Sequence, residues 1–151
     1  MTARFYRFCH SSRVLSPFAE EFHCGWFDGG CVVFARALQL WLGGRLAVIV
    51  RAELSGEQTC DHVVLSLTNP LHPVEKLYVD AGGVTTGPAL LTCWRTRERL
   101  SSAVLEDPAD YHRFVSHLRE ESWSTSLAAQ FETTFGSPQW SELLDTLGRM
   151  E

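Results

Sequence analysis

The chain has 151 residues, of which 45% are hydrophobic and 21% are charged, a composition typical of globular proteins. This length supports one hydrophobic core, so we predict a single domain over residues 1–151. The net charge of −5 and the scattered Lys and Arg residues argue against nucleic acid as a partner, because phosphate binding requires a basic face.

Neither a secretory signal nor a membrane span is predicted. The N-terminal residues are not followed by the ~7–15 apolar residues of a signal peptide, and no apolar run reaches the ~20 residues that cross a bilayer. We therefore expect a cytoplasmic protein without membrane contact, although delivery into another cell by a route without an N-terminal signal stays open. Five is an odd number of cysteines in a chain long enough for a full core, which argues against a disulfide framework. No CxxC pair occurs, so a structural zinc site has little support, and we expect no cofactor.

The first elements are predicted from turn signals and hydrophobic periodicity. Residues 1–24 are expected to be irregular, with a short helical turn at 18–23. The stretch Cys31–Leu42 is apolar on nearly all sides apart from Arg36 and Gln39, which predicts a helix buried in the middle of the domain. A glycine pair directly after this stretch marks the end of the helix.

Three strands and then four helices are predicted after the buried helix. The strand segments are rich in Val, Ile, Leu and Tyr, and the short connections between them favour an antiparallel sheet. The predicted strands cover residues 45–54, 62–68 and 74–80. After a second glycine pair the pattern is helical to the end of the chain, with helices at residues 88–100, 108–121, 124–135 and 138–149. This order predicts an α+β fold in which a buried helix packs on a small antiparallel sheet.

Cys31 is a candidate nucleophile because it begins the buried helix, directly after Gly29 and Gly30. A thiol attacks as the thiolate, and the positive end of a helix dipole stabilises that anion. The two glycines allow a substrate carbonyl to approach the backbone, and the first N–H groups of the helix can bind an oxyanion. Trp26 and Asp28 belong to the same candidate substrate and oxyanion region, and we expect Trp26 to wall a substrate cleft. The alternative interpretation of Cys31 is a small apolar core residue.

His62 and Asp80 are predicted to meet across a hairpin. If residues 69–73 form its loop, Ser66 lies opposite Lys76 and His62 lies opposite Asp80. Directly opposed residues have Cβ atoms ~4.5–5.5 Å apart. At that distance a carboxylate can orient an imidazole and fix its tautomer.

This pattern resembles the papain-like and transglutaminase-like superfamily. It consists of Gly-Gly-Cys at the start of an apolar helix, His at a strand start and Asp at the end of the next strand. More narrowly, the GGC, HVV and YVDA segments are similar to those of small papain-like domains in bacterial and phage toxins and effectors. The resemblance covers residues 27–83 and implies that Cys31 is the nucleophile, His62 the general base and acid, and Asp80 the orienting group.

The resemblance also implies an activity and leaves rivals open. It implies a cysteine hydrolase or acyl-transferase that acts on a peptide, isopeptide or side-chain amide bond of a protein or peptide substrate. One rival is a catalytically inactive papain-like fold that serves as a protein-binding module. Another is a structural zinc protein with Cys24, Cys31, Cys60 and His62 as ligands, but these spacings match no familiar finger or ribbon, so we expect no metal.

Overall fold

The computed structural model describes residues 4–52, 55–70, 72–107 and 121–137. The helices in these ranges are α1 (Arg4–Cys9), α2 (Ser12–Phe22), α3 (Cys31–Leu42), α4 (Gly87–Glu98) and α5 (Glu121–Phe135). The strands are β1 (Arg45–Ala52), β2 (Gln58–Thr68), β3 (Lys76–Asp80), β4 (Gly83–Thr86) and β5 (Val104–Glu106). The predicted helix at 138–149 and nearly all of the one at 108–121 lie outside the described residues.

The strands form one antiparallel sheet in the order β4-β3-β2-β1-β5, and with the helices they confirm the predicted α+β fold. The prediction of three strands is wrong, because β4 and β5 lie in the stretch predicted to be helical throughout. With four and three residues, these strands are too short to show a clear alternating pattern. They form the two edges of the sheet, whereas the site lies at its centre.

The N-terminal segment is helical, contrary to the prediction of an irregular stretch over residues 1–24. Val14, Phe18 and Phe22 recur every four residues in α2, which places them on one helix face, and the first two are buried. Pro17 favours a turn in the sequence but lies inside this helix. Packing of the apolar face therefore outweighs the local preference of the proline.

Helix α3 has the predicted bounds and lies in the largest apolar core. Its side chains pack with α1, α2 and α5, and also with β2 and β3 on one face of the sheet. Helix α4 covers the opposite face, where Leu90 and Trp94 pack on Ala47, Ile49 and Val64. The central strands are therefore enclosed by helices on both faces. No helix in the described ranges has both the length and the apolar character needed to cross a bilayer.

Strands β2 and β3 differ in length, so part of β2 is not paired with β3. Strand β3 pairs with residues 65–68 of β2, whereas β1 pairs along nearly all of β2. Within the described residues, the first half of β2 therefore has a strand on one side only. The loop before α3 approaches β2 here, since the ring centroids of Phe27 and His62 are 5.9 Å apart.

Candidate active site

A buried hydrogen bond joins His62 and Asp80. The His62 Nε2 atom lies 3.0 Å from Asp80 Oδ2, and the two side chains are only 1% and 7% exposed. The contact predicted from the hairpin is therefore present. A second hydrogen bond, donated by the Gly82 N–H to Asp80 Oδ1 at 2.7 Å, fixes the carboxylate from the turn after β3. The carboxylate can thus orient the imidazole.

The hairpin register differs from the predicted one by two residues. Ser66 lies opposite Tyr78 rather than Lys76. The loop is longer than predicted and is closed by a hydrogen bond from the Asn69 N–H to the Glu75 carbonyl at 3.0 Å. Because side chains alternate along a strand, a shift of two residues keeps each side chain on its face. The imidazole and the carboxylate are therefore diagonal rather than direct neighbours, and still within reach of each other.

The electrostatics of the site favour a protonated His62. Burial lowers the pKa of the imidazole, but the hydrogen bond to Asp80 and the interaction with Cys31 outweigh this effect and raise the pKa from 6.5 to about 9. The Nδ1 atom is buried and makes no hydrogen bond to any described residue. Cys31 thus lies close enough to interact with the ring, but outside hydrogen-bond geometry. Attraction between an imidazolium and a thiolate would stabilise both ions.

Trp94 of α4 covers one face of the imidazole. The two rings are stacked, with centroids 4.0 Å apart and planes inclined by 8°. The indole N–H of Trp94 donates to one carboxylate oxygen of Asp61, and the other oxygen lies 2.7 Å from a terminal nitrogen of Arg51. The hydrogen bond to Asp61 therefore holds the indole at its N–H group, and the stacked indole restricts the rotation of the His62 ring.

A β-bulge explains how two consecutive residues, Asp61 and His62, both contact this indole. Ile49 of β1 lies opposite His62, but the next residue, Val50, lies opposite Cys60. Asp61 is therefore the extra residue. Successive side chains of a regular strand point to opposite faces, whereas a bulge bends the strand and re-aims its side chains.

Cys31 is half-buried at the first position of α3. No side chain caps this helix end, and the Gly30 N–H donates to the Gly25 carbonyl at 2.8 Å. The N–H groups of the first helical turn have no acceptor within the helix, so they can bind an oxyanion. Gly29 has a φ of 139°, which favours glycine. The Asp28 carboxylate accepts the Gly25 N–H, and this contact holds it in the loop.

The other cysteines differ from Cys31 in burial and surroundings. Burial raises the pKa of Cys9, and burial together with neighbouring negative charge raises the pKa of Cys60 to about 12. Cys93 is exposed on α4, and Cys24 is partly exposed in the loop before α3. Cys31 is the thiol that combines a helix N-terminus with a neighbouring imidazole ring.

Trp26 does not wall a cleft, contrary to the prediction. Its side chain is only 2% exposed, its ring stacks on Phe18 with centroids 4.5 Å apart, and its indole N–H donates to the Cys9 carbonyl at 2.8 Å. Burial is favourable because the large apolar ring leaves water and its polar N–H is satisfied. The following residue, Phe27, is the aromatic residue of this loop that lies near His62, with ring centroids 5.9 Å apart.

Three residues around His62 were not predicted from the sequence: Asp61, Trp94 and Phe27. Asp61 adjoins His62 in the sequence, but regular alternation places it on the opposite face, and the bulge leaves no sequence signal. The contact of Trp94 depends on how α4 packs on the sheet, which periodicity does not reveal. Phe27 offered the clearest signal, since it is an aromatic residue four positions before Cys31 in the glycine-containing loop.

No protein-family model, curated protein or solved structure matches this chain. Across the described ranges, no group of three or more His, Cys, Asp or Glu side chains is arranged to hold a metal ion, so the four-residue zinc alternative has no site there. The site itself offers a thiol, an imidazole and an orienting carboxylate. This set of groups is suited to nucleophilic acyl transfer.

Proposed function

We propose that the chain is a cysteine hydrolase or acyl-transferase of the papain-like and transglutaminase-like superfamily, acting on an amide bond. The buried hydrogen bond between His62 Nε2 and Asp80 Oδ2 is the observation that carries this proposal. It occupies one ring nitrogen, and Nδ1 makes no hydrogen bond to any described residue, so that nitrogen is available for proton exchange. Cys31 is close enough to the ring to raise its pKa. A structural histidine in a core would normally have both nitrogens satisfied.

In the proposed reaction, the Cys31 thiolate attacks the carbonyl carbon of the amide. The negative charge that develops on the carbonyl oxygen is stabilised by N–H groups at the start of α3. The His62 imidazolium donates its proton to the leaving nitrogen, the C–N bond breaks, and a thioester to Cys31 remains. Neutral His62 then removes a proton from water or from an amine, which attacks the thioester. The C–S bond breaks, and the Cys31 thiolate and the His62 imidazolium are restored.

The proposed substrate is a protein or peptide, and the amide is a peptide, isopeptide or side-chain amide. The resemblance to small toxin and effector domains supports a role in modifying a protein of another cell. An enzyme of this kind would act in the cytoplasm of the cell that contains its substrate.

Selective alkylation tests the proposal. The protein is treated with iodoacetamide at pH 6, and each cysteine peptide is quantified by mass spectrometry over time. Cys31 should react faster than exposed Cys93, because a neighbouring imidazolium favours the reactive thiolate. Asp80→Asn, which keeps the side-chain shape, should slow labelling of Cys31 about tenfold or more and leave Cys93 unchanged.

Far-UV circular dichroism of the variant provides the folding control. If Cys31 in the folded wild-type protein reacts no faster than Cys93, the catalytic proposal fails. The alternative of an inactive fold that binds a protein partner then becomes the better explanation.

A further inference from the structure

Arg97 of α4 lies against two aromatic rings beside the candidate active site. Its guanidinium carbon is 4.1 Å from the ring centroid of Phe27 and 5.7 Å from that of Trp94. The side chain is 50% exposed. One part of the guanidinium therefore contacts the rings, and another part faces solvent.

Both rings also contact the imidazole that the proposed mechanism uses. The ring centroid of Trp94 lies 4.0 Å from that of His62, and the ring centroid of Phe27 lies 5.9 Å from it. Phe27 precedes Cys31 by four residues in the loop that leads into α3. Arg97 is thus separated from the catalytic groups by one layer of aromatic side chains and lies at the rim of the site.

The positive charge of Arg97 is only weakly compensated. Its Nε atom lies 3.5 Å from a carboxylate oxygen of Glu98, which is itself 38% exposed, and exposed pairs of this kind contribute little. The terminal nitrogens of Arg97 have no acceptor among the described residues. Two carboxylates near His62 in the described part of the chain are already paired, Asp61 with Arg51 and Asp80 with the imidazole itself.

A guanidinium stacked on aromatic rings keeps its in-plane N–H groups free, and these match the two oxygens of a carboxylate. The stacking also fixes the orientation of the side chain, so less entropy is lost when a ligand binds. The protein has a net charge of −5, so a weakly compensated cation at this position contrasts with the net charge of the molecule.

We propose that Arg97 forms a carboxylate-binding subsite and that the substrate carries an acidic side chain next to the amide bond that Cys31 attacks. The inference rests on the proposed function and narrows its substrate class to acidic peptides. Phe27 and Trp94 position the guanidinium, and Arg97 binds the Asp or Glu side chain of the substrate.

Two small alkylating reagents of different charge test this subsite. Iodoacetate is an anion and iodoacetamide is neutral, and each forms a C–S bond with a thiolate and releases iodide. The rate ratio of iodoacetate to iodoacetamide is measured at Cys31 by peptide mapping. Free N-acetylcysteinamide is the reference thiol, because Cys93 lies one helical turn from Arg97 and is itself exposed to its charge.

In the wild-type protein the ratio at Cys31 should exceed that of the reference thiol, because Arg97 attracts the anionic reagent. Arg97→Gln should lower the ratio about three- to tenfold at low ionic strength, and the difference should shrink as salt is added. The rate with neutral iodoacetamide is measured in both proteins, and dividing by it removes any change in the reactivity of the thiol itself from the ratio. Arg45→Gln is the matched control, because Arg45 is exposed at the first position of β1, four residues before Ile49, which lies opposite His62. Its loss should not change the ratio.

The outcomes separate the subsite from the proposed function. Failure of Cys31 to react preferentially with iodoacetamide overturns both. Preferential labelling by iodoacetamide, with the same ratio in wild type and in Arg97→Gln, overturns the subsite alone. An equal decrease in Arg97→Gln and Arg45→Gln also overturns it, since the effect would then come from net charge.

Discussion

Four side chains lie around the His62 ring, and together they determine its orientation and its pKa. Asp80 binds Nε2, and Trp94 stacks on one face of the ring. The ring centroid of Phe27 lies 5.9 Å from that of His62, and Cys31 is close enough to raise the pKa of the imidazole. Because the ring is 1% exposed, its protonation is controlled by these neighbours rather than by bulk water. The charge of the His62 imidazole therefore reports directly on these contacts.

The His62 imidazole should titrate near pH 9 in the folded protein. Asp80→Asn removes the negative charge that raises this pKa, and burial alone lowers it, so the titration should move well below pH 9. Long-range ¹H–¹⁵N NMR spectra recorded across pH 5 to 10 follow both ring nitrogens. Signals of the other histidines serve as the control. A wild-type His62 that titrates at its ordinary value of 6.5 would contradict the electrostatic account.

Trp94→Phe should separate the two contacts of the indole. The phenyl ring can still stack on His62, but Asp61 loses the N–H donor and keeps only its ion pair with Arg51. The free energy of unfolding should fall by about 1–3 kcal/mol. Urea denaturation measures this loss, and Leu91→Ala on the same helix is a control that leaves the Asp61 contact intact. Unchanged stability in Trp94→Phe would mean that the Asp61 contact contributes nothing.

Among the helices and strands, the end of β3 and the start of α3 determine the site, because Asp80 is the last residue of β3 and Cys31 is the first residue of α3. The bounds of α3 were predictable, because an apolar run between two glycine pairs leaves few alternatives. The cores of β2 and β3 were predictable from their Val, Ile, Leu and Tyr content. The pairing of His62 with Asp80 was predicted in spite of a register error, since a shift of two residues preserves the face.

Other elements could not be predicted, for physical reasons. The bulge at Asp61 arises from pairing with β1, which is a tertiary effect. Strand β4 consists of the four residues GVTT, and its structure comes from pairing with β3 rather than from its own pattern. Helix α2 contains Pro17, and only the packing of Val14 and Phe18 explains why the helix continues through it.

Gly30→Ala should disturb the start of α3. A Cβ atom at this position would lie 2.6 Å from a ring carbon of Phe18 and 2.7 Å from the Gly25 carbonyl oxygen. Since backbone atoms cannot move aside easily, we expect a loss of about 1–3 kcal/mol in unfolding free energy and slower labelling of Cys31. Gly87→Ala is the control, because its nearest atom, a Tyr78 ring carbon, would be 3.2 Å away. Equal stability of the two variants would contradict this account of Gly30.

At the scale of the whole molecule, a second buried carboxylate ties the sheet together. Asp107, directly after β5, accepts hydrogen bonds at Oδ2 from Ser66 at 2.6 Å, Tyr78 at 2.9 Å and Lys76 at 2.9 Å. Burial raises the pKa of this carboxyl group, but the three hydrogen bonds outweigh burial and lower the pKa below 3.8. These contacts connect an edge strand to β2 and β3.

Global stability should therefore fall at both ends of the pH range. The pKa of His62 is raised by folding, so its contribution is complete below pH 6.5 and is lost as the pH rises towards 9. The pKa of Asp107 is lowered by folding, so its contribution is present above pH 3.8 and is lost as the pH falls below that value. Urea denaturation at pH intervals from 3 to 10 measures both limbs.

Two variants test whether His62 causes the loss of stability at alkaline pH and Asp107 the loss at acidic pH. Asp80→Asn should flatten the limb between pH 6.5 and 9, and Asp107→Asn should flatten the acidic limb. Each substitution should leave the other limb in place, because the two carboxylates lie on separate hydrogen-bond networks. If the free energy of unfolding of the wild-type protein rises between pH 6.5 and 9, the predicted contribution of His62 is contradicted.

The central claim, that Cys31 is an acylated nucleophile activated by His62, is tested most directly by trapping the acyl-enzyme. The protein is mixed rapidly with p-nitrophenyl acetate, release of p-nitrophenol is followed by absorbance, and the quenched protein is analysed by intact mass and peptide mapping. We predict a burst of one p-nitrophenol per protein molecule, with one acetyl group on Cys31. The burst should be lost in Cys31→Ser and slowed in Asp80→Asn. Absence of a burst, or acetylation that persists at another residue in Cys31→Ser at the wild-type rate, would contradict the claim.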